Sequence, residues 1–168
     1  MNKPTNTIML GIGDYGASGT QDSMLKTMAL GSCVAVIMLD PQTKTVGMVH
    51  IALPDSNLNK SKREQRPGYF ADTGIPSLLK KMRDVGAGQD IRKYYVKITG
   101  GANVLKTTSA SVFDIGKRNI LAVKKILWQN GTGVVAEDVG GNISRTVSVY
   151  VGTGRVEIHC PGKGDWTL

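Results

Sequence analysis

The stretch Cys33-Val34-Ala35-Val36-Ile37-Met38-Leu39-Asp40-Pro41, followed by Val46-Gly47-Met48-Val49-His50-Ile51-Ala52-Leu53-Pro54, decides how this chain folds. Two apolar runs rich in β-branched residues, bounded by Gly31-Ser32, Asp40-Pro41 and Pro54, read as a β-hairpin. Centring the turn between Pro41 and Gln42 sets Asp40 against Thr43 and Cys33 against His50. Opposed side chains have Cβ atoms about 4.5–5.5 Å apart, which lets an imidazole reach a thiol. A shift of two in that register leaves the pair diagonal and within reach; a shift of one sends the side chains to opposite faces. The hairpin is therefore expected to hold a Cys–His pair, and such a pair can attack an acyl carbon.

Working outward, residues 1–7 read as disordered, Ile8 to Gly13 as a short strand and turn, and residues 54–68 as a long polar loop. Asp72 is positioned to cap a helix running to about Arg83, with Ile75, Leu78, Leu79 and Met82 on one face and Pro76 in the first turn. Residues 91–99 alternate enough for a strand, and Thr99-Gly100-Gly101-Ala102-Asn103 makes a tight turn. Asp114 caps a second helix through Trp128, which Asn130-Gly131 closes. From Val134 to His159 the chain reads as strands broken at Gly140-Gly141-Asn142 and Gly152-Thr153-Gly154. The expectation is an α/β fold, one domain over residues 8–160, with a short tail at 161–168. Gly11-x-Gly13-x-x-Gly16 matches the dinucleotide fingerprint by letters, but the residues after Gly16 lack the amphipathic helix that motif requires.

A chain of 168 residues is long enough to bury a core. Its two cysteines, Cys33 and Cys160, make no disulfide framework and fit a reducing compartment. No targeting segment or membrane-length apolar run stands out, so a soluble cytoplasmic protein is expected, without membrane insertion. The formal charge of +8 favours an acidic partner. Lys60, Lys62, Arg63 and Arg66 form the densest basic group, read as a solvated loop or, more sharply, a substrate-docking one. Aromatic residues are few and no nucleic-acid motif is present, so no nucleic-acid partner is expected.

A cysteine attacks as thiolate; a neighbouring histidine can take its proton and deliver it to a leaving amine, and a third polar group fixes the imidazole tautomer. Thr27, just before the Gly31-Ser32 turn, is the candidate for that third role, and the N–H groups of Ser32 and Cys33 are candidate oxyanion donors. The competing reading is a Cys and a His that merely pack in a core, since unpaired cysteine is among the most buried residue types. A zinc site lacks half its ligands, and a serine hydrolase lacks its G-x-S-x-G elbow. His159 and Cys160 are adjacent, so a strand sends them to opposite faces, and no function is assigned to them.

The chain resembles the chemoreceptor glutamine deamidases of bacterial chemotaxis, the CheD family. The resemblance rests on Leu30-Gly31-Ser32-Cys33-Val34-Ala35-Val36, His50-Ile51-Ala52-Leu53-Pro54-Asp55-Ser56, Tyr69-Phe70-Ala71-Asp72-Thr73 and Gly100-Gly101-Ala102. It continues through Ile115-Gly116-Lys117-Arg118-Asn119 and Ala136-Glu137-Asp138-Val139-Gly140-Gly141-Asn142 with Arg145, while Thr107–Ser111 and the tail after His159 match no motif. It implies a mixed α/β sandwich related to the catalytic domain of cytotoxic necrotizing factors. It implies Cys33 as nucleophile, His50 as general base and acid, and Thr27 as the residue orienting His50. Receptor glutamines would become glutamates through a thioester, with no metal or organic cofactor required, and glutamyl methyl-esterase activity is a secondary expectation. The implied partners are the cytoplasmic domains of methyl-accepting chemoreceptors and a CheC-type CheY-phosphate phosphatase. A largely non-catalytic docking regulator of that phosphatase, and a general cysteine amidase or transglutaminase, are the alternatives.

Overall fold

The structure is a computed structural model describing residues 4–104 and 114–168. In chain order its elements are β1 (Asn6–Leu10), β2 (Tyr15–Ser18), β3 (Ser23–Leu30), β4 (Val34–Asp40), β5 (Thr45–Ile51), α1 (Lys60–Gln65), α2 (Ala71–Asp84), β6 (Tyr95–Gly100), α3 (Ile115–Gln129), β7 (Val134–Val139), β8 (Arg145–Tyr150), β9 (Val156–Cys160) and β10 (Gly164–Thr167). They form two sheets, β1-β3-β8-β9-β10 and β2-β5-β4-β6-β7. Both are mixed: β1 runs parallel to β3 and β6 parallel to β7, with the other pairs antiparallel.

The hairpin reads as unbroken apolar runs because its sheet is covered on both faces. On one face Val34, Val36, Met38, Val49 and Ile51 pack with Ile75, Leu78 and Met82 of α2 and Val123 and Leu127 of α3. On the other, Ala35, Ile37, Val46 and Met48 meet Leu25 and Leu30 of β3 and Val147 and Val149 of β8. The layers are therefore helices, sheet, sheet. Gly47 lets α2 settle close: a Cβ there would lie 2.8 Å from atoms of both Leu78 and Met82. The sheet farther from the helices has a solvated outer face, so β8 alternates buried and half-buried residues.

The mixed α/β architecture expected from the sequence is present, and several details differ. The hairpin turn is wider than expected, spanning Pro41–Lys44 with Lys44 at φ +56°, so that Asp40 pairs with Thr45 rather than Thr43. Asp40 itself accepts from Gln42 N, Thr43 Oγ1 and Gly88 N, which pins this wider loop. β1 begins at Asn6, inside the segment read as disordered, because β3 supplies a parallel partner. The tail likewise gains a strand, β10, by pairing with β9. The polar loop contains α1, capped by the Asn59 side chain. α2 starts one residue before Asp72, which instead accepts from Ser56 N and Oγ, and Pro76 lies beyond the first turn. In α3 the Asp114 cap is as expected, accepting from Lys117 N, but Leu121 faces solvent. Ile91–Lys93 is a 3₁₀ turn, so the strand expected over 91–99 begins only at Tyr95. The residues after Gly16 form β2 and not a helix, which removes the dinucleotide fingerprint. Thr107–Ser111 lie outside the described residues.

Candidate active site

Thr27 shares the inward face of β3 with Leu25, and His50 shares the inward face of β5 with Met48 and Val46. Two strands from different sheets therefore aim these side chains at each other. Thr27 Oγ1 lies 2.7 Å from His50 Nδ1, and both residues are fully buried. The same hydroxyl donates to the Leu10 carbonyl at 2.8 Å. A hydroxyl has one proton, and a carbonyl can only accept. The Thr27 proton is thus committed to Leu10, so Oγ1 accepts from Nδ1–H. That fixes the tautomer and leaves Nε2 with its lone pair. Nε2 is buried and has no partner among the described residues. The β1–β2 turn holds the His50 backbone: His50 N donates to Asp14 O at 3.0 Å, and Gly13 N donates to His50 O at 2.8 Å. Burial lowers the His50 pKa to about 4, against a smaller opposing pull from Asp14.

Cys33 sits just before β4, half-buried at the rim of the intersheet core. Val34 pairs with Ile51 and Ala35 with His50, so Cys33 lies diagonal to His50 on a shared face rather than directly opposite it. The wider Pro41–Lys44 turn causes this offset. Burial raises the thiol pKa, and the residue's own backbone N–H works in the other direction by stabilising the thiolate.

The chain reaches Cys33 through a bulge. Register between β3 and β8 shifts between Thr27 and Leu30, with Ala29 at φ +58°. Beyond it three consecutive carbonyls are held. Gly31 O accepts from Ala102 N at 2.7 Å, Ser32 O from Asn119 Nδ2 at 2.9 Å, and Cys33 O from Gly101 N at 2.7 Å. Gly100, at φ +109°, makes this approach possible, since a Cβ there would stand 2.2 Å from Cys33 O. Behind this turn, Gly140 N donates to Gly100 O, and the buried Arg145 binds Asp138 and the Gly140 carbonyl. Among the described residues, the N–H groups of Ser32 and Cys33 have no backbone acceptor, and that of Cys33 faces the sulfur of its own residue.

The basic residues read as a solvated or a substrate-docking loop lie on α1 and just after it. Arg66 pairs with Asp14 at 2.9 Å, beside the turn that holds His50, and Lys62 lies 3.9 Å over the Tyr69 ring. His159 and Cys160 point to opposite faces of β9: His159 meets Asp165 at the surface and Cys160 is buried. The two cysteines are unbonded. No trio of metal-ligating side chains is present among the described residues. Sequence reasoning gave no role to Asn119 or to Gly100-Gly101. A polar residue on the buried face of α3, in line with Gly116, Val123 and Leu127, is the signal that marks Asn119.

A half-buried thiol diagonal to a buried imidazole, whose tautomer leaves Nε2 able to accept a proton, is an arrangement that can support thiol-dependent hydrolysis. Comparison with known proteins is specific. The family model "CheD chemotactic sensory transduction" matches residues 52–160, a span that begins just past His50. A probable chemoreceptor glutamine deamidase CheD of Syntrophotalea carbinolica is 58% identical over 96% of this chain and 98% of its own. A chemoreceptor glutamine deamidase CheD of Thermotoga maritima is 36% identical over 94% of each chain. The crystal structure of Neisseria meningitidis protein NMB0706 covers 82% of this chain and 63% of its own at 12% identity and TM-score 0.44, too slight a likeness to carry an argument. The chain belongs to the CheD family.

Proposed function

We propose that this protein is a chemoreceptor glutamine deamidase that works through Cys33, His50 and Thr27. The observation that carries the mechanism is the Thr27–His50 bond, whose proton accounting leaves Nε2 as the base. The Cys33 thiol proton passes to Nε2 as sulfur bonds to the amide carbon of a receptor glutamine. The tetrahedral oxyanion collapses, His50 returns the proton to the departing nitrogen, and ammonia leaves a thioester. Water then attacks as His50 takes its proton; the C–S bond breaks, sulfur recovers a proton, and glutamate is released. The raised thiol pKa and lowered imidazole pKa both support a resting pair that is neutral, with proton transfer coupled to attack.

A glutamyl methyl ester offers the same acyl carbon with a better leaving group, so the scheme extends to esterase activity. Docking is assigned to exposed Ile12, Met28 and Val104, on segments that carry the site, together with the basic α1 region. An apolar rim beside positive charge suits the acidic helical bundle of a receptor's cytoplasmic domain and also a CheC-type phosphatase, and the proposed location, with those partners, is the cytoplasm. No helix among the described residues is long and apolar enough to cross a membrane. The test is mass spectrometry of a receptor cytoplasmic fragment incubated with wild type and with Cys33→Ala. Amide-to-acid conversion by wild type alone is expected. Conversion by Cys33→Ala would refute the thioester scheme, and no conversion by folded wild type would favour a docking regulator.

A further inference from the structure

We propose that Asn119 is a positioning residue that aims the Cys33 N–H into the cleft as an oxyanion donor. This deepens the deamidase reading and rests on it. Asn119 is fully buried on α3, and its Nδ2 divides its two protons between Ser32 O and Ala52 O, each at 2.9 Å. Ser32 O belongs to the peptide unit whose nitrogen is Cys33 N. Ala52 is the residue that the β4–β5 register places opposite Cys33. One side-chain amide therefore ties the nucleophile's own peptide to the strand that carries His50.

A trans peptide points its C=O and N–H in opposite directions. Holding Ser32 O toward α3 turns the Cys33 N–H away from it, toward the sulfur of its own residue and with no backbone acceptor among the described residues. The neighbouring carbonyls, Gly31 O and Cys33 O, are held by the Gly101-Ala102 backbone, so the Ser32 peptide is the one in this run fixed by a side chain. The amide orientation is chemically forced, because rotating it would set Oδ1 against two carbonyls. Its cost is visible: Oδ1 is buried with no partner among the described residues. An orphaned buried acceptor works against the fold, a cost a mere spacer would not incur. Beside this peptide, a cleft of about 190 Å³ is lined by Gly31, Ser32, Ala102, Asn103 and the start of α3.

The test compares two reactions of Cys33 in the full-length protein. Deamidation passes through an oxyanion; alkylation by iodoacetamide does not. In Asn119→Ala, kcat on a receptor fragment should fall about 10–100-fold with KM little changed, a mis-aimed donor costing less than a deleted one. The alkylation rate should stay within about twofold of wild type, since burial outweighs the Cys33 N–H in setting the thiol's reactivity and His50 is untouched. Unchanged kcat in the folded variant overturns the inference, as does a parallel fall in alkylation. If Asn119→Ala does not fold, Asn119→Ser, which keeps one donor, takes its place; failure of both to fold assigns a purely structural role and also overturns it. Absence of turnover by wild type sinks the deamidase reading itself. That result is distinct from wild-type turnover matched by the Asn119 variants.

Discussion

The molecule contains two cysteines and two histidines, and they form two contrasting pairs. His159 and Cys160 are neighbours in sequence yet part company in space: the strand's alternation exposes one and buries the other. Cys33 and His50 are far apart in sequence yet share a face, because the hairpin folds one run back on the other. Their surroundings differ as much. His50 has a buried hydroxyl partner and no solvent access, whereas His159 meets the exposed carboxylate of Asp165. Whether a thiol and an imidazole share a face and an environment thus comes from strand register and burial, and adjacency in the chain supplies neither.

Substitutions at corresponding positions break the comparison most sharply. Cys33→Ala should abolish receptor deamidation, while Cys160→Ala should keep kcat near wild type and cost about 1 kcal/mol of stability, read from denaturant unfolding. Equal losses of activity would erase the distinction between the pairs. His50→Gln should lower kcat by about 10³-fold or more, with His159→Gln indistinguishable from wild type in the same assay. Thr27→Val keeps the shape and removes the acceptor for Nδ1–H, and a fall of about 10–100-fold in kcat is expected, with Thr27→Ser recovering much of it.

A subtler prediction concerns pH. The His50 pKa lies near 4 in the fold against about 6.5 when unfolded, so the unfolded chain binds more protons between those values. Stability from this residue is complete above pH 6.5 and is lost as pH falls toward 4, amounting to about 3 kcal/mol. Unfolding midpoints measured across that window should show the slope in wild type and lose it in His50→Gln. The acid limb of kcat/KM should likewise fall near pH 4 instead of near 6.5.

The hairpin, the Asp114-capped helix and the breaks between the last strands were readable because each rests on local rules of periodicity, caps and glycine turns. The pairing of β1 and β10 was not, since a parallel edge strand and a four-residue end strand gain stability only from partners distant in sequence. At the site, the residue types at 27, 33 and 50 were readable, while the hairpin offset was hidden in the turn. Pro41 suggested a tight reversal, but the side chain of Asp40 organises a wider one. Asn119 escaped because its partners are backbone carbonyls from two other segments, and carbonyls leave no letter in a sequence.

The proposed neutral resting pair also bears on durability. Peroxide and other oxidants attack thiolate, the first rung of a ladder that ends in irreversible sulfonic acid. On the proposed mechanism, a Cys33 kept protonated by burial, with an imidazole that does not ionise it in advance, would present little thiolate between turnovers. Under that proposal, delaying proton transfer until substrate arrives would double as protection against oxidative inactivation.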